Sequence, residues 1–444
     1  MKDLEKIVNI LKNRGFIFPS AEIYGGLKGF YDFGPLGVLI KNKLKNIWLK
    51  DIVHKRDNVF LIESSIIGPR RIYEASGHVE NFQDPLVECK KCHQRFRADH
   101  LLKGDYGKIK KKNNKPLCPL CQGELTEEKK FNLMFKTYVG PVEESASEAY
   151  LRPETDQGIF LNFKNILTSM RAKLPFGIAQ IGKAFRNEIT PKNFIFRIRE
   201  FEQMELEFFV NPQEAKKWFN YWVEERFKWY LKLGFKKENL RKRKYKKNEL
   251  AHYSAETVDI EYKFPWGWDE LEGIANRTNY DLKRHSKFSN QELIYFDEKR
   301  KKDILPYVIE PSVGIERLLL AIFLEFYDED IINEETRRVF RFPSFLSPIE
   351  VAIFPLLGNK QNLIEKAKMI NQNLKDDFIS FYDETGSIGR RYRRQDEIGT
   401  PFCLTIDFQT LENETLTIRF RDTTTQERVK IENLKEYLKE KIRF

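Results

Sequence analysis

No run of apolar residues in the 444-residue chain is long enough to cross a bilayer. The opening stretch, MKDLEKIVNILKNRG, is charged throughout and lacks the apolar middle of a signal peptide, so a cytoplasmic protein is expected. Cysteine is scarce. Five residues fit a reducing compartment, where paired cysteines hold metal more often than they form disulfides. There is no GKS or GKT phosphate loop and no GxGxxG, which sets aside P-loop and dinucleotide-binding chemistry. Acidic residues are in deficit: 66 Asp and Glu stand against 77 Lys and Arg, a net charge of +11. That imbalance favours a polyanionic partner such as nucleic acid.

What is there points to a well-packed protein of several domains. Apolar residues make up 41% and aromatics 14% of a chain too long for one core, so two or three domains are expected. GPLGVLIKNKLKNIWLKDIV, from Gly34, reads as a helix starting at Pro35 or Leu36, with Ile40, Leu44, Ile47 and Trp48 on one stripe. NVFLIESSIIGP reads as a strand stopped at Gly68-Pro69. Residues 86–130 hold four of the five cysteines and the loop KIKKKNNK, and read as a small insertion. Residues 131 to 210 read as strand-rich, and residues 213–234 as an amphipathic helix ending at Gly234. YVIEPSVGIERLLLAIFLEFY, from Tyr307, reads as strand, turn and apolar helix, and RKRKYKK at 241–247 as a solvated basic patch. A boundary is expected in RFPSFLSP, with prolines at 343 and 348. Beyond it VAIFPLL, FISFYD, FCLTIDF and TLTIRF read as strands, with helices from Lys360 and over 432–442, making a separate α/β domain.

The stretch FRIREFEQMELEFF, residues 196–209, carries the chemistry. As a strand it shows Phe196, Ile198, Glu200, Glu202, Met204, Leu206 and Phe208 on one face. Arg197, Arg199, Phe201, Gln203, Glu205 and Glu207 line the other. IAQIGKAFRNE, ending in Arg186 and Glu188 on one face, would pair with it as an antiparallel hairpin. Such a hairpin can grip a nucleotide, with arginine on a phosphate and Phe201 on a base. Phe201 to Glu205 spans about 13 Å at about 3.3 Å per residue, comparable to the length of an adenylate. The order cation, ring, carboxylate therefore fits a ligand with phosphate, adenine and an ammonium group. Cross-strand ion pairs on a solvated face are the alternative. In EPSVGIER, Gly314 opens a helix and Arg317 sits in its first turn, against the helix dipole. A bound phosphate would relieve that; pairing with Glu316 or Glu310 is the alternative. CKKC at 89–92 and CPLC at 118–121 have the spacing of a closed, structural four-thiolate zinc knuckle through Cys89, Cys92, Cys118 and Cys121. Redox-active or merely buried thiols, or His93 in place of one cysteine, are the alternatives, and Cys403 reads as a core thiol.

The sequence resembles a known family. FRNE…REFEQME is similar to the second signature motif of class II aminoacyl-tRNA synthetases and GIER to the third, while the helix and strand ending at Pro69 resemble the first. More narrowly, EIYGGLKGFYDFGPLG, ASGHVENFQDPLVECKKC, RADHLL, FNLMFKT, YLRPETDQGIFLNF, ELAHYS, GIANRTNYDL and IGRRYRRQDEIGTPF are similar to dimeric glycyl-tRNA synthetases, in the family's order over nearly the whole chain. No HIGH or KMSKS element of class I synthetases occurs.

The resemblance implies an α+β protein: an antiparallel class II catalytic sheet flanked by helices over 1–85 and 131–342, a zinc-binding insertion over 86–130, and an α/β anticodon-binding domain over 347–444. It implies a cytoplasmic homodimer that activates glycine with ATP and Mg2+ and transfers it to the 3′ end of tRNA(Gly), with zinc as a structural ion. Carried over by position, Arg186, Asn187 and Glu188 fall to ATP, with Arg186 on the α-phosphate. Phe196, Arg197, Ile198, Arg199 and Glu200 complete the ATP loop, and Phe201 stacks on adenine. Glu270 and Leu271 match an ATP-site pair, with Glu270 helping to hold Mg2+, and Gly314, Ile315, Glu316 and Arg317 match the γ-phosphate site. Arg186, Glu188 and Arg317 are the expected catalytic residues. The glycine pocket draws on Arg97, Glu154, Phe201, Glu202, Gln203, Met204, Glu205, Glu310, Pro311, Ser312, Val313 and Gly314. Several carboxylates around one ammonium suit glycine, whose size permits exclusion of larger amino acids without editing. No general base is nominated.

GRRYRRQDEIGTPF places Arg390, Arg391, Arg393 and Arg394 around Tyr392, as phosphate contacts and base stacking in anticodon recognition require. Two positions depart from the family. Asp156 stands where a small residue is usual and either adds negative charge near the pocket or points away; Phe420 replaces a usually charged residue. A non-catalytic tRNA- or DNA-binding relative and a class II synthetase for another small amino acid are the rival readings. The intact Arg186 and Arg317 argue against the first, and the acidic pocket against the second.

Overall fold

The computed structural model describes residues 3–103, 106–107, 109–144, 147–332 and 334–443. The main layer is a seven-stranded sheet. In chain order its strands are β1 (Val59–Ile62), β2 (Phe176–Phe185), β3 (Glu200–Val210), β4 (Leu240–Lys244), β5 (Glu256–Phe264), β6 (Gly267–Thr278) and β7 (Tyr307–Gly314). Their spatial order is β4-β5-β6-β7-β3-β2-β1, antiparallel except that β1 runs parallel to β2.

One face of this sheet is apolar and packs under α1 (Pro35–Leu49), α2 (Ala215–Lys232) and α3 (Ile315–Phe326). Met204, Leu206 and Phe208 of β3 belong to that core, with Ile40, Leu44, Ile47 and Trp48 of α1. Ten of the twelve residues of α3 are buried, as expected of a helix apolar nearly all round. Its buried Glu316 accepts from Lys41 Nζ at 2.7 Å and from the Glu202 backbone N–H at 2.8 Å, which joins α1, α3 and β3. Arg226 of α2 donates to Glu272 at 2.7 Å, and Tyr230 donates to the same carboxylate at 2.6 Å. The opposite face divides in two. At one end Phe176, Ile178 and Phe209 pack against the helices Asp156–Leu161, Phe163–Ser169 and Tyr280–Ser289; the other end opens as a cleft.

Several elements differ from the sequence reading. NVFLIESSIIGP is two strands, β1 and Ile67–Pro69, the second pairing with Glu148–Leu151 in a separate sheet. The break falls at Ser64, whose N–H donates to Gln180 Oε1 at 2.6 Å and whose carbonyl takes Arg152 at 2.9 Å. Within the stretch read as strand-rich, Asp156–Leu161 and Phe163–Ser169 are helical. β2 ends at Phe185 and β3 begins at Glu200, so Arg186 and Phe196–Arg199 lie in the connecting segment rather than on strands. RKRKYKK is partly the edge strand β4, whose Arg241, Lys242 and Arg243 pair with Glu261, Glu224 and Glu249.

The C-terminal domain has five strands: β8 (Val351–Pro355), β9 (Ser380–Tyr382), β10 (Phe402–Ile406), β11 (Thr415–Phe420) and β12 (Gln426–Lys430), in the order β9-β8-β10-β11-β12. The helices Gln361–Leu374 and Leu434–Ile442 pack against them, and Ile388–Ile398 is a further helix. Phe420 packs against this core, with its ring 5.9 Å from that of Phe402, so an apolar residue suits its position. Gly399 ends the last-named helix at φ +81°, where a Cβ would meet the Phe342 ring at 2.4 Å. Arg421 ties the domain back, donating to the carbonyls of Phe342 at 2.7 Å and Gly399 at 2.8 Å.

Leu320, fully buried in α3, tests this packing. Leu320→Ala is expected to destabilise the catalytic domain by about 2–5 kcal/mol in urea unfolding, and Leu320→Met by less than about 1.5 kcal/mol.

Candidate functional site

A cleft of about 400 Å³ opens on the polar end of the sheet. Strand alternation supplies its floor: Phe201, Gln203 and Glu205 from β3, Glu310, Ser312 and Gly314 from β7, Thr257 and Asp259 from β5. On β6 the alternation breaks. Glu261 pairs with Glu270 while Ile260 pairs with Glu272, so Leu271 is an extra residue in a bulge. The bulge sends both Glu270 and Gly273 to the cleft, while Leu271 enters the core. The segment between β2 and β3 forms a wall with Arg186, Glu188, Phe196, Arg197 and Ile198, and Arg317 enters from the first turn of α3.

The two ends of the cleft differ in charge. At the cationic end Arg317 Nη1 lies 3.0 Å from Glu270 Oε2, and its guanidinium lies 4.5 Å from the Phe196 ring centroid. Arg317 holds the Glu270 carboxyl below its usual range, against the burial that raises it. The Arg186 guanidinium lies 5.3 Å from the Phe201 ring centroid and 5.5 Å from that of Phe82. Arg186 Nε donates to the Pro153 carbonyl at 3.0 Å, and Nη2 lies 3.4 Å from Glu154 Oε2.

The acidic end is built around Glu205, 1% exposed. Its Oε1 accepts from Ser312 Oγ at 2.6 Å and Gln203 Nε2 at 2.7 Å. Its Oε2 accepts from the Thr155 N–H at 2.9 Å and from the Thr155 hydroxyl. Glu154 meets His78 Nε2 at 2.6 Å. Burial would raise the Glu154 carboxyl, but His78, Arg186 and Arg277 bring it down to about 2. Burial pushes Glu310 up to about 8, although Arg277 Nη1 donates to its Oε1 at 3.0 Å. Asp259, buried beside Glu270, is raised to about 7 and accepts from Tyr245 OH at 2.8 Å.

Arg277, 3% exposed, lies in GIANRTNYDL, a stretch whose pattern marks no site residue. It donates to Asp281 at 2.8 and 3.0 Å, to Glu310, and lies 3.1 Å from Asp156 Oδ2. Asp156 therefore lies behind the cleft floor, fully buried beside Arg277. Tyr245 and Tyr253, which no sequence motif singles out, also line the cleft, and the Arg277 guanidinium lies 4.2 Å from the Tyr253 ring centroid.

Other expected site residues point elsewhere. Glu200 pairs with Lys183 at 2.8 Å, and Glu202 with Lys41 at 2.9 Å and Lys45 at 2.6 Å, on the far face of β3. Met204, Leu271, Val313 and Ile315 are in the core, and Pro311 is buried. Glu316 lines the cleft's edge but spends its carboxylate on Lys41 and the Glu202 N–H. Arg199 donates to the carbonyls of Glu188 and Lys28, bracing the Gly29 turn. Asn187 binds the Leu133 carbonyl through its backbone at 2.7 Å. Arg97 pairs with Asp84 at 2.7 Å and Asp99 at 2.9 Å rather than lining the cleft.

The four cysteines converge. Cys89 and Cys121 Sγ are 3.4 Å apart, Cys92 and Cys118 Sγ are 3.6 Å apart, and all four lie within 4.8 Å of one another. A tetrahedral zinc with bonds of about 2.3 Å places its sulfurs about 3.8 Å apart, so the residues fit that ion. Cys403 is 1% exposed, in the C-terminal core. GRRYRRQDEI lies within the helix Ile388–Ile398. Arg391 turns inward onto the Pro355 and Leu356 carbonyls, Tyr392 donates to or accepts from Thr405 at 2.6 Å, and Arg393 and Arg394 pair with Glu335 and Asp383. Arg390 is exposed.

Residues 135–326 match the tRNA synthetase class II core domain (G, H, P, S and T), and residues 350–441 match an anticodon binding domain. The chain is similar to the glycine–tRNA ligase of Caldanaerobacter subterraneus subsp. tengcongensis, at 52% identity with 99% of each chain covered. It is also similar to that of Treponema denticola, at 50% identity over 96% of this chain and 94% of that one. Against that of Thermobifida fusca identity is 49%, over 99% of this chain and 98% of the relative. No helix among the described residues is long and apolar enough to cross a membrane.

The cysteine cluster gives a direct expectation. Metal analysis of the purified chain should find about one zinc per chain, lost in Cys118→Ser. Hydrogen exchange should then quicken across residues 86–130 while the seven-stranded sheet keeps its protection.

Proposed function

The chain belongs to the glycine–tRNA ligase family, with a class II synthetase core and a C-terminal anticodon-binding domain, and from that premise we propose how its own side chains divide the work. The activity is ATP-dependent activation of glycine followed by transfer to tRNA(Gly). One observation carries the assignment of roles. The buried, four-donor seat of Glu205 faces Ser312 and Glu310 on the same concave surface as Arg186, Phe201 and Arg317.

In this reading the glycine ammonium sits against Glu205, Glu310 and Glu154, and the crowded floor leaves no room for a side chain on its α-carbon. Gln203 and Ser312 hold Glu205 in one orientation, so its charge is aimed before substrate arrives. Adenine stacks on Phe201, which requires the Arg186 guanidinium to leave that ring and move to the α-phosphate. Arg317 turns from Glu270 to the terminal phosphates. The glycine carboxylate then attacks the α-phosphorus, an O–P bond forms, and the bond to the β-phosphate breaks with release of pyrophosphate. The two arginines counter the charge that develops, so positioning and electrostatics supply the acceleration. Glu270, whose carboxylate faces the cleft, would hold the Mg2+ that accompanies ATP, which when bound neutralises phosphate charge. In the second step the terminal tRNA ribose hydroxyl attacks the glycyl carbonyl and AMP leaves. The exposed Arg390 is available to the tRNA backbone.

A cytoplasmic homodimer completes the reading. β1 is the edge of the large sheet and exposes Leu61 at 47%, with Val38 and Ile67 also exposed nearby in sequence to α1 and β1. An exposed apolar edge strand calls for a cover, which a second copy supplies.

Glycine-dependent ATP–pyrophosphate exchange tests the roles. Arg186→Ala is expected to lose on the order of 100-fold or more in rate, and exchange with alanine or serine but not glycine would overturn the assignment. Sedimentation should show a dimer for the wild type and a shift to monomer in Leu61→Lys; an unchanged dimer would place the interface elsewhere.

A further inference from the structure

Below the floor of the cleft lies a group of acids, Asp156, Glu207 and Glu310, of which the activation chemistry uses only Glu310, from its cleft side. On β3 the cleft-facing side chains run Phe201, Gln203, Glu205, Glu207 and then Phe209, which packs in the apolar cluster with Phe160 and Phe176. Glu207 is thus the last polar residue before a hydrocarbon wall. It is fully buried, and neither of its carboxylate oxygens has a hydrogen-bond partner. A carboxylate left so is costly, by several kcal/mol if charged.

Its oxygens are not isolated from other acids. Carboxylate oxygens of Glu207, Asp156 and Glu310 lie within 4.8 Å of one another, and all three residues are buried. The cation at hand is Arg277. It is already divided among Asp281 at 2.8 and 3.0 Å, Glu310 at 3.0 Å and Asp156 at 3.1 Å. Three carboxylates therefore share one guanidinium by direct contact, and Glu207, the fourth acid of the group, has no hydrogen bond to it. Asp156 is otherwise well supplied, accepting from the Gln157 N–H at 2.6 Å and Gln157 Nε2 at 2.8 Å. It is held in place toward the group rather than turned away from it.

The geometry points to a cation site at this position: Asp156, Glu207 and Glu310 would bind one hard divalent ion of the Mg2+, Mn2+ or Ca2+ class, behind the glycine pocket and independent of nucleotide. Hard oxygen donors select these ions over the thiophilic metals that the four cysteines take. Two positive charges would offset the excess of acid that Arg277 leaves, and they would give Glu207 the partner it lacks. Three carboxylate oxygens at this spacing leave further coordination positions to water from the cleft. Asp156 supplies one of the three ligands. The site therefore depends on the residue at which this chain departs from the pattern of the family it resembles.

The test counts Mn2+ on nucleotide-free, full-length protein by the loss of the free-ion EPR signal. The wild type is expected to bind one Mn2+ per chain at this site. Asp156→Asn and Glu207→Gln, close in shape to the residues they replace, should each weaken it by roughly 10- to 100-fold. Mn2+ should also raise the melting temperature of the wild type and not of these variants. Glu270→Gln, at the nucleotide end of the cleft, should leave the binding unchanged. Absence of Mn2+ binding by the nucleotide-free wild type would overturn the proposal, even if the variants fail to fold. Equal binding by wild type and Glu207→Gln, or loss in Glu270→Gln instead, would also overturn it. None of these readings depends on aminoacylation, so the outcome is separate from that of the exchange assay.

Discussion

Everything at the cleft depends on the register of β3 between β2 and β7. Glu205 sits opposite Gln180 on one side and Ser312 on the other. With that pairing Phe201, Gln203, Glu205 and Glu207 face the ligand side while Met204, Leu206 and Phe208 enter the main core. A slip of one residue would place two carboxylates, Glu205 and Glu207, in hydrocarbon and three apolar chains in the cleft. The core thus enforces the site: the burial that holds the domain together also fixes which side chains can touch a substrate. Buried acids must then be satisfied in place, which Thr155, Gln203 and Ser312 do for Glu205 and Arg277 does for Glu310.

Charge is sorted along the cleft. Arg186, Arg197 and Arg317 stand at one end, and Glu154, Glu205 and Glu310 at the other. Arg186 lies near Glu154 and Arg317 on Glu270. These pairs keep both guanidiniums from being buried uncompensated. They also set what a ligand must replace: phosphate oxygens offer each arginine a stronger partner, and an ammonium offers Glu154 another cation. Binding at the two ends is thereby physically linked.

Much of this was readable from residue order alone. The apolar stripe of α1, the all-round apolar α3 and the alternation of residues 200–209 follow from periods of 3.6 and 2, and the paired CxxC spacing brought four thiols together. The rest was hidden for identifiable reasons. Glu270 and Gly273 share the cleft face although they are three residues apart, because a bulge at Leu271 shifts the alternation of β6 by one residue, and nothing in this mixed polar stretch marks where the shift falls. Arg277 lies in a stretch whose pattern does not single it out, since its partners Asp156 and Glu310 are distant in sequence. Arg186 is the last residue to hold the ladder, its N–H bonding the Arg199 carbonyl opposite it, and the chain then turns away where the Glu188 N–H donates back to the Arg186 carbonyl at 2.6 Å. Arg97 resembled a substrate contact but is taken up by Asp84 and Asp99. Arg391 looked like one of four surface cations and instead closes the carbonyl ends of β8.

The central claim is that the acidic end of the cleft receives the glycine ammonium while the arginine end receives the phosphates. A crystal structure of the chain with a non-hydrolysable glycyl-adenylate analogue tests it most directly. The account predicts the ammonium within hydrogen-bond distance of Glu205 and Glu310, the purine against Phe201, and Arg186 moved from Glu154 to the phosphate position. An analogue bound with its ammonium away from Glu205 and Glu310, or with Arg186 still on Glu154, would contradict it.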